Sequence, residues 1–481
     1  MEEKKFVESI TSQKEDFSRW YTDVILKAKL ADYAPIKGCM VIRPYGFALW
    51  ENMQRLLDEK IKRTGHENAY FPLFIPKSFL EKEAEHVEGF SPQVAWVTKG
   101  GDEDLVEPLA VRPTSESIIC SMFSKWIQSW RDLPVLINQW ANVVRWEKET
   151  RLFLRTTEFL WQEGHTAHRT LEEAEEEALK MLNVYKEFFE EDLSIPVIAG
   201  VKTENEKFAG ALRTYSVEVL LADGRALQAG TSHNLGQHFA KAFDITFQDI
   251  DGERKYVWQT SWGVSTRSIG ALIMTHGDDY GLVLPPKVAP YQIVIIPIWR
   301  EDKDKEKVYR YVDEIYSILR EHFRVFVDKD EEHTPGWKFN EWELKGVPVR
   351  IEIGPKEVEK GEIFTARRDK REKTSFKKEN MVDNLRDLLN NIQRSMFEKA
   401  LRFREENTYE VESFEEFKKI IEEKRGFIKA SWCGSGECEL KIKELTSATI
   451  RNIPFDWKEE KGKCIYCGKE TNIKALFAKA Y

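Results

Sequence analysis

From Phe47 onward, Trp50, Met53, Leu57 and Ile61 recur at three- and four-residue spacing, which predicts an amphipathic helix ending near Gly65. A strand through Tyr70 to Leu73 is expected to follow. Residues 1–30 also show helical spacing, with charges of both signs, and read as a surface lead-in of low functional content. The segments 135–147 and 153–168 have β-rich composition, and the polar interval Lys148 to Leu152 between them reads as a hairpin turn, so antiparallel pairing is expected. A charged helix over 171–192, strand-like alternation over 213–250 and a helix from Arg267 to Met274 complete this part.

The pattern breaks at Pro285-Pro286 and resumes with another rhythm: strand 291–298, helix 305–323, strand 324–327, helix 336–345, strand 347–353, strand 362–367, helix 380–405. This is an α/β module. After Asn407 comes a cysteine-bearing tail, and no internal repeat or low-complexity segment is seen.

At 481 residues the chain is long enough for about three domains. With 42% apolar and 32% charged residues, disorder and a membrane protein are both disfavoured. No apolar run approaches the ~20 residues of a spanning helix, and the N-terminus has no apolar signal core, so a cytoplasmic protein without membrane contact is expected. The net charge of −9 argues against a surface coated in nucleic acid, although a local basic patch remains open. Four of six cysteines fall in the last 49 residues as Cys433, Cys438, Cys464 and Cys467; two close couples separated by 25 residues point to tetrahedral, structural Zn²⁺. Cys39 and Cys120 have no partner at metal spacing and read as small core residues.

No phosphate-cradling Gly-rich loop is present, so any phosphate must be handled by arginines. Arg145 and Glu147 would share one strand face, and Arg155, Thr157, Phe159, Trp161, Glu163 and His165 another, since every spacing is even. Two guanidiniums suit phosphate oxygens, Phe159 offers a flat face to a purine, and carboxylates can hold Mg²⁺.

That stretch resembles motif 2 of the class II aminoacyl-tRNA synthetases, spanning about 143–165. The helix followed by Pro72 resembles motif 1, about 47–75, and Gly263 to Arg267 with Ile269, Gly270 and Ala271 resembles motif 3, about 261–276. Within the class, the loop Arg112 to Glu116, the strand Thr157 to His165, the run Gln228 to Gln237 and Met274 to Asp279 are similar to the prolyl-tRNA synthetase family in its archaeal and eukaryotic form. The resemblance implies an α+β catalytic domain on an antiparallel sheet over 1–286, an α/β anticodon-binding domain over 287–400 and a small zinc-binding α+β domain over 401–481. It also implies a homodimer that activates L-proline with ATP and Mg²⁺ and transfers it to tRNA(Pro).

By the same resemblance Arg145 contacts the α-phosphate and the proline carboxylate, and Arg267 clamps the γ-phosphate side over an adenine facing Phe159. Thr114 and Glu116 hold the secondary ammonium, Trp161, Glu163 and His233 wall the ring, and Ser265 joins the proline site. Glu147, Arg155, Gln228 and Thr231 belong to the ATP pocket. No inserted editing domain is expected, because 64 residues separate Glu163 from Gln228 and a helix uses about a third of them. In the anticodon module, residues 365–378 carry seven basic and two acidic side chains. Arg367, Arg368 and Arg371 there, with Lys338, Glu343 and Arg350, are candidates for contact with RNA. The alternative, a non-catalytic paralogue that only binds tRNA or regulates a partner, would be signalled by loss of an ATP arginine, and all three are present.

Overall fold

The computed structural model describes residues 10–86 and 93–481, so the first nine residues of the lead-in lie outside it. The remainder of the lead-in departs from the surface role expected for it. Asp16 caps helix α1 (Phe17–Lys27) by accepting from the Arg19 N–H at 2.9 Å, and Trp20, Tyr21, Val24 and Ile25 are fully buried. The intervening charges disguise an apolar stripe whose two aromatics each contribute about 2–3 kcal/mol on burial.

Helix α2 (Pro44–Arg63) forms where the spacing predicted one, with Trp50, Met53, Leu57 and Ile61 buried in the chain's own core. Beyond it, the strand expected at 70–73 is absent. Glu67–Asn68 (β1) pairs before it, with Ile137 and Asn138, and Phe74–Pro76 pairs after it, with Leu109 to Val111, while Phe71 gives its N–H to the Gln139 side chain at 2.5 Å. Pro72 has no N–H to offer a ladder.

The main sheet has eleven strands. In chain order these are β1, β2 (Val135–Val144), β3 (Glu158–His168), β4 (Ile198–Val201), β5 (Arg213–Leu220), β6 (Ala226–Gly236) and β7 (Trp258–Ser265). A later group adds four strands from the tail, Thr408–Glu410, Phe427–Ser431, Ala448–Pro454 and Lys474–Lys479. Across the sheet the order from the far edge is 408–410, 427–431, 474–479, 448–454, β4, β5, β6, β7, β3, β2, β1, so the tail is hydrogen-bonded into the sheet of the first module through Ile453 opposite Val201. The central pairs are antiparallel. Helix α3 (Glu116–Trp126) follows the Arg112 loop, while α4 (Leu171–Glu187) and α5 (Arg267–His276) cover the sheet face that carries Trp262 and Val264. A Cβ on Gly164, directly opposite Trp262, would run into that indole, so only glycine lets the ring lie flat on the sheet.

The second module is a five-stranded sheet ordered β9, β8, β10, β11, β12, made of β8 (Ile293–Pro297), β9 (Val325–Val327), β10 (Val349–Ile353), β11 (Glu362–Arg367) and β12 (Lys373–Lys377). Helices α6 (Asp302–Leu319), α7 (Pro335–Leu344) and α8 (Met381–Glu406) flank it. Strand β12 and a short helix at Pro355–Lys360 are not predicted by the sequence pattern; the strand is mostly exposed, the helix has no fully buried residue, and neither carries an apolar period. In the tail, helix α9 (Gly436–Thr446) precedes the strand at 448–454. Cys120 is buried as expected, whereas Cys39 is only half-buried. Among the described residues no helix is long and apolar enough to cross a membrane.

Candidate active site

Strand register assembles the site. His165 on β3, Ser261 on β7, His233 on β6 and Thr214 on β5 lie in one row across four strands, and Glu163, Gly263 and Thr231 form the next row. Trp161 opposite Ser265 begins a third. Because side chains repeat with period two, all of these face one side, and they line a cavity of about 270 Å³ together with Thr114, Glu116, Arg145, Phe159, Gln228 and Arg267. Gln228 and Thr231 are three residues apart, which on a regular strand would put them on opposite faces. A bulge at Ala229, where Val217 faces Gly230 but Glu218 faces Gln228, brings both to the cavity.

Two expected members of the strand row are elsewhere. Residues 151–155 close a tight turn, with Arg151 bridged to Arg155, and β3 begins only at Glu158. Arg155 therefore lines two adjoining cavities, one with Arg145 and Glu147, the other with Gln228, Arg267, Arg451 and Tyr481. Thr157 is buried beneath Gly38, whose carbonyl accepts its N–H at 2.8 Å.

Glu163 is the most heavily held group. It accepts from Ser115 Oγ at 2.5 Å, Ser115 N–H at 3.2 Å and Gln139 Nε2 at 2.9 Å, and pairs with His165 Nε2 at 3.0 Å. Burial opposes its ionisation, but these partners hold its pKa below the usual carboxylate value. Burial likewise disfavours the charged form of His165, yet its hydrogen bond to Glu163 and the nearby Glu116 raise its pKa. His233, bonded to Thr214 Oγ1 at 2.9 Å, is pushed down to about 3 by burial and by His165, and stays neutral. The Glu116 carboxylate accepts from the Thr114 hydroxyl at the cavity wall. Trp161 Nε1 and Ser261 Oγ are buried without a protein partner.

The cations are clustered. Arg145 gives its Nε–H to Pro113 O at 3.0 Å and lies over the Phe159 and Trp161 rings at 5.5 and 5.3 Å. Burial lowers its pKa, with Glu116, Glu163 and Glu147 acting against that. Arg267, anchored through Nε to Leu154 O at 3.1 Å, falls to about 10 through burial and the neighbouring Arg155 and Arg145. Three guanidiniums converge beside these carboxylates and make an anion site. The arrangement can take a flat ring beside Phe159, a chain of phosphates along the arginines, and a small cationic group between Glu116 and Trp161.

In the second module, the expected basic patch is only partly exposed. Arg367 is buried against Asp369 at 2.7 Å, and Arg368 is buried in a two-armed pair with Asp278 at 2.6 and 2.8 Å. Lys338 is buried against Asp328, 3.5 Å away, Arg350 pairs with Glu352 at 2.8 Å, and Arg371 pairs with Glu343 at 2.6 Å. The charges in the run that face solvent are Lys370, Arg371, Glu372, Lys373 and Lys377. A cavity of about 230 Å³ lies among Trp342, Glu343, Arg350, Arg367, Arg368 and Arg371.

Family models agree with this layout: the tRNA synthetase class II core domain (G, H, P, S and T) matches residues 96–276, an anticodon binding domain matches 292–388, and the prolyl-tRNA synthetase C-terminal domain matches 414–481. A proline–tRNA ligase of Natranaerobius thermophilus is 64% identical, with 99% of each chain covered. The chain belongs to the prolyl-tRNA synthetase family. Proline–tRNA ligase 2 of Clostridioides difficile is 59% identical over 100% of this chain and 99% of that one. A crystal structure of prolyl-tRNA synthetase from Cryptosporidium parvum, complexed with halofuginone and AMPPNP, matches with a TM-score of 0.95 at 44% identity, covering 99% of this chain and 100% of that chain.

This synthetase is thus an ATP-using aminoacyl-tRNA ligase that activates proline and transfers it to tRNA. Between β3 and β6 it holds α4, β4 and β5 with their connections, and no inserted domain. In its tail the sulfurs of Cys433, Cys438, Cys464 and Cys467 all lie within 4.8 Å of one another, and Cys433 and Cys467 are 3.8 Å apart. Four thiolates tetrahedral about Zn²⁺ at about 2.3 Å would sit about 3.8 Å apart, so the donors fit that ion in kind and spacing. Sequence reasoning missed the synthetase's Ser115 and Gln139, which hold Glu163. Gln139 faces Glu163 across β2 and β3, a placement that only the register discloses. It also missed Glu206, Lys207 and Phe208, a loop segment without periodicity that lines the cavity.

Proposed function

We propose that the 270 Å³ cavity is where proline and ATP meet, with Thr114, Glu116, Trp161, Glu163, His233 and Ser265 around the amino acid and Arg145, Glu147, Arg155, Phe159, Gln228, Thr231 and Arg267 around the nucleotide. The convergence of Arg145, Arg155 and Arg267 carries the reading. A proline carboxylate oxygen attacks the α-phosphorus, the bond to pyrophosphate breaks, and prolyl-adenylate forms. Charge grows on the phosphate oxygens, so preorganised guanidiniums lower the barrier without a protein nucleophile or base. Arg145 bridges the two substrates, Glu116 takes the secondary ammonium and Arg267 draws the distal phosphates over the adenine. Glu147 is the carboxylate placed to hold Mg²⁺, which would supply further neutralisation of phosphate charge. Proline-dependent ATP–pyrophosphate exchange across the twenty amino acids tests the assignment, which requires activity with proline and loss on changing Arg145.

The remaining assignments follow the same logic. The catalytic unit is taken as 1–286, the anticodon unit as 287–400 and the cysteine unit as 401–481, the last holding one structural Zn²⁺ on its four thiolates. The undivided chain between motifs 2 and 3, together with the cysteine tail, supports the archaeal and eukaryotic form of the enzyme, although the two ligases named above, from Natranaerobius thermophilus and Clostridioides difficile, are bacterial. A cytoplasmic homodimer acting on tRNA(Pro) is favoured. Since the apolar stripe of α2 is used within the chain, the two-fold contact is assigned to the exposed Tyr33, Phe47, Tyr70 and Phe74 around motif 1.

A further inference from the structure

We infer that Glu439, on helix α9 of the tail, is a positioning residue for proline binding, because it pins the segment that roofs the amino-acid cavity. The inference rests on the cavity being the proline site. Glu206, Lys207 and Phe208 line that cavity, and the Phe208 ring stands 4.8 Å from the ring of His233. The segment is shaped by Thr203, whose carbonyl accepts the N–H groups of Glu206 and Lys207 at 3.2 and 2.9 Å. Thr203 in turn gives its hydroxyl to Glu439 Oε1 at 2.7 Å, and Asn205 Nδ2 reaches Glu439 Oε2 at 3.0 Å and Gly436 O at 3.1 Å. A Cβ on Gly436 would come within 2.9 Å of the Asn205 amide, so the fit is close. At the outer rim Lys443, one turn further along α9, lies 3.5 Å from Glu206.

Glu439 is 4% exposed, and a carboxylate so buried weakens a fold unless its partners are worth holding. Its partners here are two side chains of the roof. Released from Glu439, the roof would sample open positions, and proline would have to select the closed one, which lowers apparent affinity by the closed fraction without altering the arginines that act on the phosphates.

The test uses the full-length enzyme in ATP–pyrophosphate exchange. Glu439→Ala is expected to raise the KM for proline about tenfold and to leave kcat and the KM for ATP within about twofold. Asn205→Ala, which cuts the tie from its exposed side, should raise the proline KM by about threefold, and Glu439→Gln, which keeps an acceptor for Thr203, should fall below Glu439→Ala. Tryptic cleavage after Lys207 should quicken in Glu439→Ala and be suppressed by proline with ATP, while metal content stays at the wild-type ratio. An unchanged proline KM in Glu439→Ala overturns the inference. If that variant does not fold, an unchanged value in Asn205→Ala does so. Thr114→Ala in the same assay separates the two levels: a raised proline KM there with none in the roof variants leaves the cavity assignment standing, and no change in any variant removes both.

Discussion

Glu163 already has donors on every side, so at the scale of single residues the cavity divides into groups that are held and groups that are free to act. Glu116 and the three arginines belong to the second kind. Arg145→Ala should therefore lower proline-dependent pyrophosphate exchange about 100- to 1000-fold, the loss typical of a donor aimed at developing charge. Near wild-type exchange would remove Arg145 from motif 2 chemistry. Buried histidines set the acid limit. His168 and His276 both fall to about 4, chiefly through burial, so each stays neutral in the native state while the unfolded chain takes up protons below about 6.5. The unfolded state binds the extra protons, so stability falls with pH between about 6.5 and 4, by roughly 1.4 kcal/mol per histidine at pH 5.5. His165, with a raised pKa, acts in the opposite sense, its contribution being present at low pH and lost as pH rises through its folded value. Melting temperatures measured from pH 7 to pH 4 should decline across that window. At this scale the sequence disclosed most of the site, because even spacing translates directly into one strand face. It could not disclose the bulge that turns Gln228 and Thr231 the same way, since a bulge depends on the partner strand.

Elements carry the corrections. Helix α6 was legible because Val308, Val312, Ile315 and Leu319 repeat on one buried face. The lead-in helix was misjudged because the charges spread through residues 1–30 mask its apolar stripe, and the 70–73 segment because β-like composition does not guarantee a free ladder. The basic run 365–378 was legible as charge but not as two kinds of charge. Arg368 ties β11 to Asp278 just beyond α5, so Arg368→Glu would set two carboxylates against each other and is expected to cost about 3 kcal/mol or more in denaturant unfolding. Reversal of the exposed Lys373 and Lys377 on β12 instead should weaken tRNA charging and flatten its salt dependence while exchange continues unchanged. Equal charging by wild type and that double variant at low and moderate salt would assign the strand to a solvated face.

For the whole molecule, the cysteine unit was legible as a cluster of four thiols but not as a continuation of the catalytic sheet, because strand pairing between Ile453 and Val201 leaves no local trace. Cys464→Ser should strip one Zn²⁺ per chain and, through that pairing, lower the melting temperature of the catalytic unit as well as the tail. Two separate transitions, with only the smaller one moved, would show the units to be uncoupled. A mass of two chains by light scattering at micromolar concentration, reduced to one by charged substitutions at Phe47 and Phe74, would locate the dimer contact.

The same continuity orders events while the chain is being made. Strand β4 leaves the ribosome about 250 residues before the strand that covers its outer edge, and at roughly 5–20 residues per second that edge stays open for about 12 to 50 seconds. An unpaired central-sheet edge is a template for pairing with other chains. The nascent protein thus carries an open sheet edge late in translation, with the catalytic strands already made, and whatever shortens that wait should raise the yield of folded enzyme.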